Sequence, residues 1–207
     1  SAASDVYKRQ ILTATIQMAD FTVVKFDFKD YFNSISSIYV FEKYLRGSLS
    51  NRHEIDLVKT FVYSTKRAYA GLCTSNAIAE IIATHFDKAV RQKFASNGAI
   101  YYERYIDDCV LVLNEHMEEA EVKRLLTAIL LEVFHDTSLK CPQCKTKFNW
   151  KKFRYISRRN VLLQKCSIDF LGYEFWFASK PVGRKTEITI QYLSLIHISE
   201  PTRRSYI

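Results

Sequence analysis

The amino-acid sequence predicts an α+β fold, an antiparallel sheet backed by helices, and three observations carry that prediction. FTVVKFDF, residues 21–28, is an apolar run of strand length, with apolar residues on both of its faces. AIYYERYIDDCVLVL and VLLQKCSIDFLGYEFWF each hold two strand-like runs joined closely, as in a hairpin. Between and before them lie stretches whose apolar residues recur at helical spacing, and such helices bury their stripe against a sheet.

Taken in order, the first strand ends in polar residues around Ser34 to Ser37, which open a helical region, and a further helix is predicted from Glu54 to about Lys66. Ala77, Ile78, Ile81, Ile82, Phe86, Ala89, Val90 and Phe94 fall at i, i+3/i+4 spacing and predict a long helix. It starts just after Thr74 and Ser75, either of which could cap it. AIYYERY and CVLVL form a hairpin joined at IDD. Val122, Leu125, Leu126, Ile129, Leu130, Val133 and Phe134 then define another amphipathic helix, followed by a basic segment and the second hairpin. No linker or repeat interrupts the series.

The chain of 207 residues is 48% hydrophobic and 14% aromatic, enough for a substantial core, and its five glycines and three prolines argue against disorder or repeats. Thirty Lys and Arg against 22 Asp and Glu give a net charge of +8, which suits a polyanionic partner. Five scattered cysteines make no disulfide framework, so a reducing, cytoplasmic setting is expected. Within residues 11–192 no apolar run approaches the roughly 18 residues of a membrane span, and no membrane partner is expected.

The ends read differently. Asp5–Gln10, DVYKRQ, can be encoded by GAT GTG TAT AAG AGA CAG, whose reverse complement, CTG TCT CTT ATA CAC ATC, encodes LSLIHI, the sequence of Leu193–Ile198. The pair is read as translated transposon-end adapter, so residues 1–10 and 193–207 are set aside as tails. The net charge without them, 26 basic against 20 acidic residues, is still +6. The native chain is then expected to continue beyond both ends.

The chemistry concentrates in RYIDDCVLV, residues 104–112, where Asp107 and Asp108 stand side by side against an apolar run. At about 4 Å and an effective dielectric near 20, their repulsion is of order 4 kcal/mol, so positive charge is expected beside them. Transfer of a nucleotidyl group uses carboxylates that hold Mg²⁺, and Mg²⁺ takes only one or two of them, leaving other positions to phosphate and water. Asp27, at the end of FTVVKFDF, is the natural third acid, whereas Asp30 reads as a helix-start carboxylate.

Across residues 22–177 the chain resembles the reverse transcriptases. KFDFKDYFNSI resembles their motif A, GLCTSNAIAEI motif B, RYIDD the YxDD motif C, KCPQCKTKF a divergent motif D and FLGYEF motif E, five motifs in the family's order. The resemblance implies a right-hand polymerase palm over residues 11–177, with part of the fingers, the start of a palm–thumb connection over 178–192, and incomplete fingers and thumb. It implies that Asp27 and Asp107 bind two Mg²⁺ ions, for which Mn²⁺ could substitute, and that Asp108 assists or shapes the site. Phe28 and Phe32 would border the incoming nucleotide, and the ring of Phe32 would leave no room for a 2′-hydroxyl, selecting deoxynucleotides. Gly71, Thr74 and Ser75 of motif B would contact nucleotide or template, although Cys73 and Thr74 stand where many members carry Pro and Gln. Lys145, followed by Thr146, would protonate the leaving pyrophosphate or serve as a backbone-binding lysine. Phe170, Leu171 and Gly172 would form the primer grip.

Lys147, Lys151, Lys152, Arg154, Arg158 and Arg159 lie in an acid-free segment interleaved with Phe148, Trp150, Phe153 and Tyr155, and read as a template–primer surface or as a solvated basic face. Cys141 and Cys144 make half of a C-x₂-C zinc site whose other half would have to come from Cys166 and His135, a spacing that disfavours zinc. Cys73 and Cys109 read as small core residues.

The expected function is RNA-directed DNA synthesis from a 3′ hydroxyl, with RNA template, DNA or RNA primer and deoxynucleotides as partners. The short motif B resembles prokaryotic members tied to antiviral defence, where a noncoding RNA or oligomeric partner is also found, and the fragment by itself is expected to be inactive. Untemplated or protein-primed DNA synthesis by an abortive-infection-type enzyme, and a noncatalytic nucleic-acid-binding module, remain the alternatives.

Overall fold

The computed structural model describes residues 15, 17–69, 71, 73–183 and 185–194. In chain order its elements are β1 (Thr22–Lys29), α1 (Tyr31–Ser34), α2 (Ser37–Val40), a π-turn (Phe41–Leu45) and a 3₁₀ turn (Arg46–Ser48). Then come α3 (Arg52–Thr65), α4 (Cys73–Ala95), β2 (Ala99–Tyr105), β3 (Asp108–Leu113) and α5 (Glu119–Phe134). β4 (Lys147–Phe148), β5 (Arg154–Ser157), α6 (Arg158–Leu163), β6 (Cys166–Phe170), β7 (Tyr173–Val182) and β8 (Lys185–Ser194) complete it. The fold is the expected mixture of helices and antiparallel sheets.

The chain divides into two compact units, one of residues 1–25, 98–117 and 153–207, the other of residues 26–97 and 118–152. In the first, β2 and β3 form a hairpin, β3 borders β1, and β5 pairs antiparallel with Thr22–Lys25 of β1. A second sheet runs β6-β7-β8, all antiparallel. Phe21, Val23, Val110, Val112, Ile156, Phe170, Phe175 and Phe177 close its core, each such side chain contributing on the order of 1.5–3 kcal/mol by burial.

The second unit is built on aromatic rings. Phe28 stacks on Tyr31 and Phe148, and meets Phe86 edge-on at 5.1 Å between centroids. Phe26, Phe86, Phe134 and Phe148 fill the rest of that cluster. All seven residues predicted for the stripe of α5 are buried, because a 3.6-residue period aligns them on one face. Of the stripe predicted on α4, Ile78, Ile82, Phe86, Val90 and Phe94 are buried, while Ala77 faces solvent.

Several expectations change. Helix α4 begins at Cys73, so Thr74 and Ser75 lie in its first turn and not before it. Helix α3 starts two residues earlier than predicted because Asn51 accepts from the His53 amide and caps it. The basic segment supplies two strands, β4 and β5, that complete β1 along its length. Within the span read as the start of a palm–thumb connection, residues 178–182 lie in β7 and 185–192 in β8, which also takes in Leu193 and Ser194. The remainder of both tails, 1–10 and 195–207, lies outside the described residues.

Candidate active site

Asp27 sits in the half of β1 that belongs to the second unit. Its side chain is 1% exposed, and neither carboxylate oxygen has a hydrogen bond. The Lys152 ammonium stands 2.8 Å from Oδ2, an ion pair without the angle of a hydrogen bond, and the Lys152 side chain is 63% exposed, so water screens the pair. A buried carboxylate is normally hydrogen-bonded or bound to a cation. Asp27 therefore fits a divalent cation with open coordination positions.

Asp107 and Asp108 are half-buried, not buried, which softens their mutual desolvation. Pairing of Tyr105 with Asp108 leaves Ile106 and Asp107 as the two-residue tip of the β2–β3 hairpin. Ile106 has φ 57, a left-handed conformation that costs a β-branched residue on the order of 1–3 kcal/mol and marks a strained tip. The positive charge expected beside the pair is Lys25: its Nζ lies 3.8 Å from Asp108 Oδ1 and 2.7 Å from Asp169 Oδ2. Lys25 is 4% exposed. Burial raises the Asp169 carboxyl, but the hydrogen bond and charge of Lys25, with Arg154 beyond, outweigh it and hold Asp169 below its ordinary value. Sequence reasoning missed Lys25, although a lysine inside an apolar strand and two residues from Asp27 was the available signal.

Within the second unit, motif D docks on the last residues of motif A. The Lys145 amide donates to Ser34 O at 2.7 Å, the hydroxyls of Ser34 and Thr146 lie 3.0 Å apart, and His135 Nε2 meets Thr146 O at 2.8 Å. These ties leave the Lys145 side chain exposed on the rim of a pocket of about 450 Å³. Lys29, Arg67, Lys145 and Lys147 line it with Asp30 and His135. Four cations around one acid suit a polyphosphate. Asp30 precedes α1 as expected, but its carboxylate accepts from Asn33 and caps no backbone amide.

The remaining predicted residues separate into open and buried. Phe32 is half-buried against Tyr31, and Gly71 has φ 93 with open space where a Cβ would lie, so both stay available to a ligand. Thr74 is exposed and Ser75 buried. Phe28, expected at the nucleotide, is a core ring at 2% exposure, because its neighbours Tyr31, Phe86 and Phe148 enclose it. Phe170 likewise packs in the core of the first unit, while Leu171 and Gly172, at φ 51 and 77, form the two-residue turn of the β6–β7 hairpin. Two consecutive positive φ values define the hairpin turn that matches strand twist.

Of the basic segment, Lys147, Lys151, Lys152, Arg154 and Arg159 are exposed. Arg158 is half-buried and donates to Met18 O. Its aromatics turn mostly inward, with Phe148 and Phe153 buried and Trp150 exposed beneath the Lys123 ammonium. Cys144 accepts from the Ser36 amide, and burial pushes its thiol up to about 12, so it is held as a neutral core group. Cys109 is buried as expected, and the Cys73 side chain lies outside the described residues. Among the described residues no group of three or more His, Cys, Asp or Glu is gathered for a metal.

In the first unit a hairpin carries two acids at its tip, and in the second a buried acid faces Lys152 and four cations line a pocket. The chain belongs to the reverse transcriptase (RNA-dependent DNA polymerase) family, whose family model matches residues 8–175. No curated protein matches it.

Proposed function

We propose that this chain is the catalytic palm of an RNA-directed DNA polymerase that extends a 3′ hydroxyl with deoxynucleotides. The observation that carries the reading is Asp27, buried at 1% with both oxygens free of hydrogen bonds. Asp27 and Asp107 would take two Mg²⁺ ions, which when bound activate the attacking oxygen and offset charge on the phosphates. A bond forms between the primer 3′ oxygen and the α-phosphorus, the bond to the β-phosphate oxygen breaks, and pyrophosphate leaves. Lys145 would donate a proton to that leaving group from the rim of the basic pocket, where Lys29 and Arg67 would hold the polyphosphate. Phe32 would exclude the 2′-hydroxyl, Gly71 and Thr74 would meet nucleotide or template, and Leu171 and Gly172 would position the primer. Lys147, Lys151, Lys152, Arg154 and Arg159 would track the template–primer backbone.

The short GL-x-TSN form of motif B supports a prokaryotic enzyme of antiviral defence. Primer extension with the full-length protein tests the reading: incorporation that requires Mg²⁺ and disappears in Asp27→Ala is expected. Incorporation that persists in the variant sinks it. Product formed equally without template would favour the untemplated chemistry.

A further inference from the structure

We propose that Lys25 is a positioning residue, a buried cation that locks the acid-tipped β2–β3 hairpin to the β6–β7 hairpin through Asp108 and Asp169. Lysine is almost never buried without partners, and here the cation on the central strand has one carboxylate from each hairpin, 3.8 Å and 2.7 Å away. All three residues belong to the first unit.

The placement explains features that neither hairpin explains alone. Asp169 pairs with Glu174 across the β6–β7 ladder, one rung from the Phe170–Tyr173 pair that carries the Leu171–Gly172 turn. Asp108 pairs with Tyr105 and closes the ladder at the Ile106–Asp107 tip. Each carboxylate thus sits next to a tight turn, and both turns hold a non-glycine residue at positive φ, Ile106 at 57 and Leu171 at 51. A single ammonium drawn to both carboxylates fixes the spacing of the two turns. Asp108 is then spent on Lys25, which leaves the neighbouring Asp107 as the tip's open acid. Lys25 lies on the same strand as Asp27, so one strand carries both the lock and the buried acid. In the role for the reaction, which rests on the proposed function, the lock holds the primer-side hairpin at a set distance from the acid tip.

Hydrogen exchange on the chain itself tests the lock without reference to activity. Lys25→Met and Asp169→Asn should each speed exchange at amides of both hairpin ends, around residues 105–109 and 169–173, by roughly tenfold or more, as expected for loss of a hydrogen bond to a charged group. Lys25→Arg should retain most of the protection, and the double variant should be no faster than the faster single one. Because the Asp169 side chain is 62% exposed, Asp169→Asn should leave the fold intact and keeps the test open if Lys25→Met unfolds. Wild-type protection at residues 105–109 in Asp169→Asn, or effects that simply add, would overturn the lock. Primer extension then separates the two claims. A fall in kcat with unchanged deoxynucleotide KM in Asp169→Asn supports positioning, and unchanged kcat refutes it. A wild-type protein that shows the exchange coupling but no polymerisation would refute the proposed function while leaving the lock standing.

Discussion

Replacing Asp27 by Asn should stabilise the metal-free protein while removing its response to divalent cations. Taking a carboxylate out of water costs several kcal/mol. The Lys152 ammonium at 2.8 Å would return about 6 kcal/mol at an effective dielectric near 20, but its side chain is 63% exposed and solvent screening reduces the return to about 1 kcal/mol. No hydrogen bond to either Asp27 oxygen makes up the difference. Neutralising the group therefore gains roughly 1–2 kcal/mol, which in a chain of this size raises Tm by about 2–8 °C. Mg²⁺ at about 100 times its Kd should add about 2.7 kcal/mol to the wild type by mass action and almost nothing to the variant. Thermal denaturation with and without Mg²⁺ measures both arms. A variant that melts lower than the wild type without metal, or that keeps the full Mg²⁺ shift, refutes the reasoning.

Other perturbations test the packing and the turns. Phe86→Ala empties the centre of the aromatic cluster around Phe26, Phe28 and Phe148 and should lose about 3–5 kcal/mol in chemical denaturation. Gly98 has φ 68, and a Cβ there would run into the Asn114 side chain, so Gly98→Ala should cost at least about 1–2 kcal/mol from the left-handed backbone alone, read from the same transition. His85 stacks on Tyr44 at 4.0 Å, and burial first, then Lys88 and Lys43, lower its pKa. Its neutral form is favoured in the fold, so stability is full above about 6.5 and declines as pH falls from there through the lower folded value. Melting between about pH 7 and 5.5 should show that decline in the wild type and less of it in His85→Phe.

Periodicity made α5 legible to the residue, since Val122 to Phe134 stand on one stripe whatever they pack against. The two hairpins were legible because a two-residue join leaves little choice of partner. β4 and β5 were not, because runs of two and four residues are too short to set a strand pattern in a segment dominated by cations. Asp27, Asp107 and Lys145 are proposed from motif order, which carries no information on environment. Hence the enclosure of the Phe28 ring by Tyr31, Phe86 and Phe148 was not legible from it. The acid pair was expected to be buried when Asp27 is the enclosed carboxylate. Lys25 escaped notice because a charge inside an apolar run declares that it has partners without saying which.

The central claim is most directly tested by primer extension on a defined RNA template with the full-length protein, Mg²⁺ and labelled deoxynucleotides. The account predicts DNA product whose sequence is set by the template, that requires Mg²⁺, and that vanishes in Asp107→Ala. Product that forms without template, or that survives loss of Asp107, would contradict it.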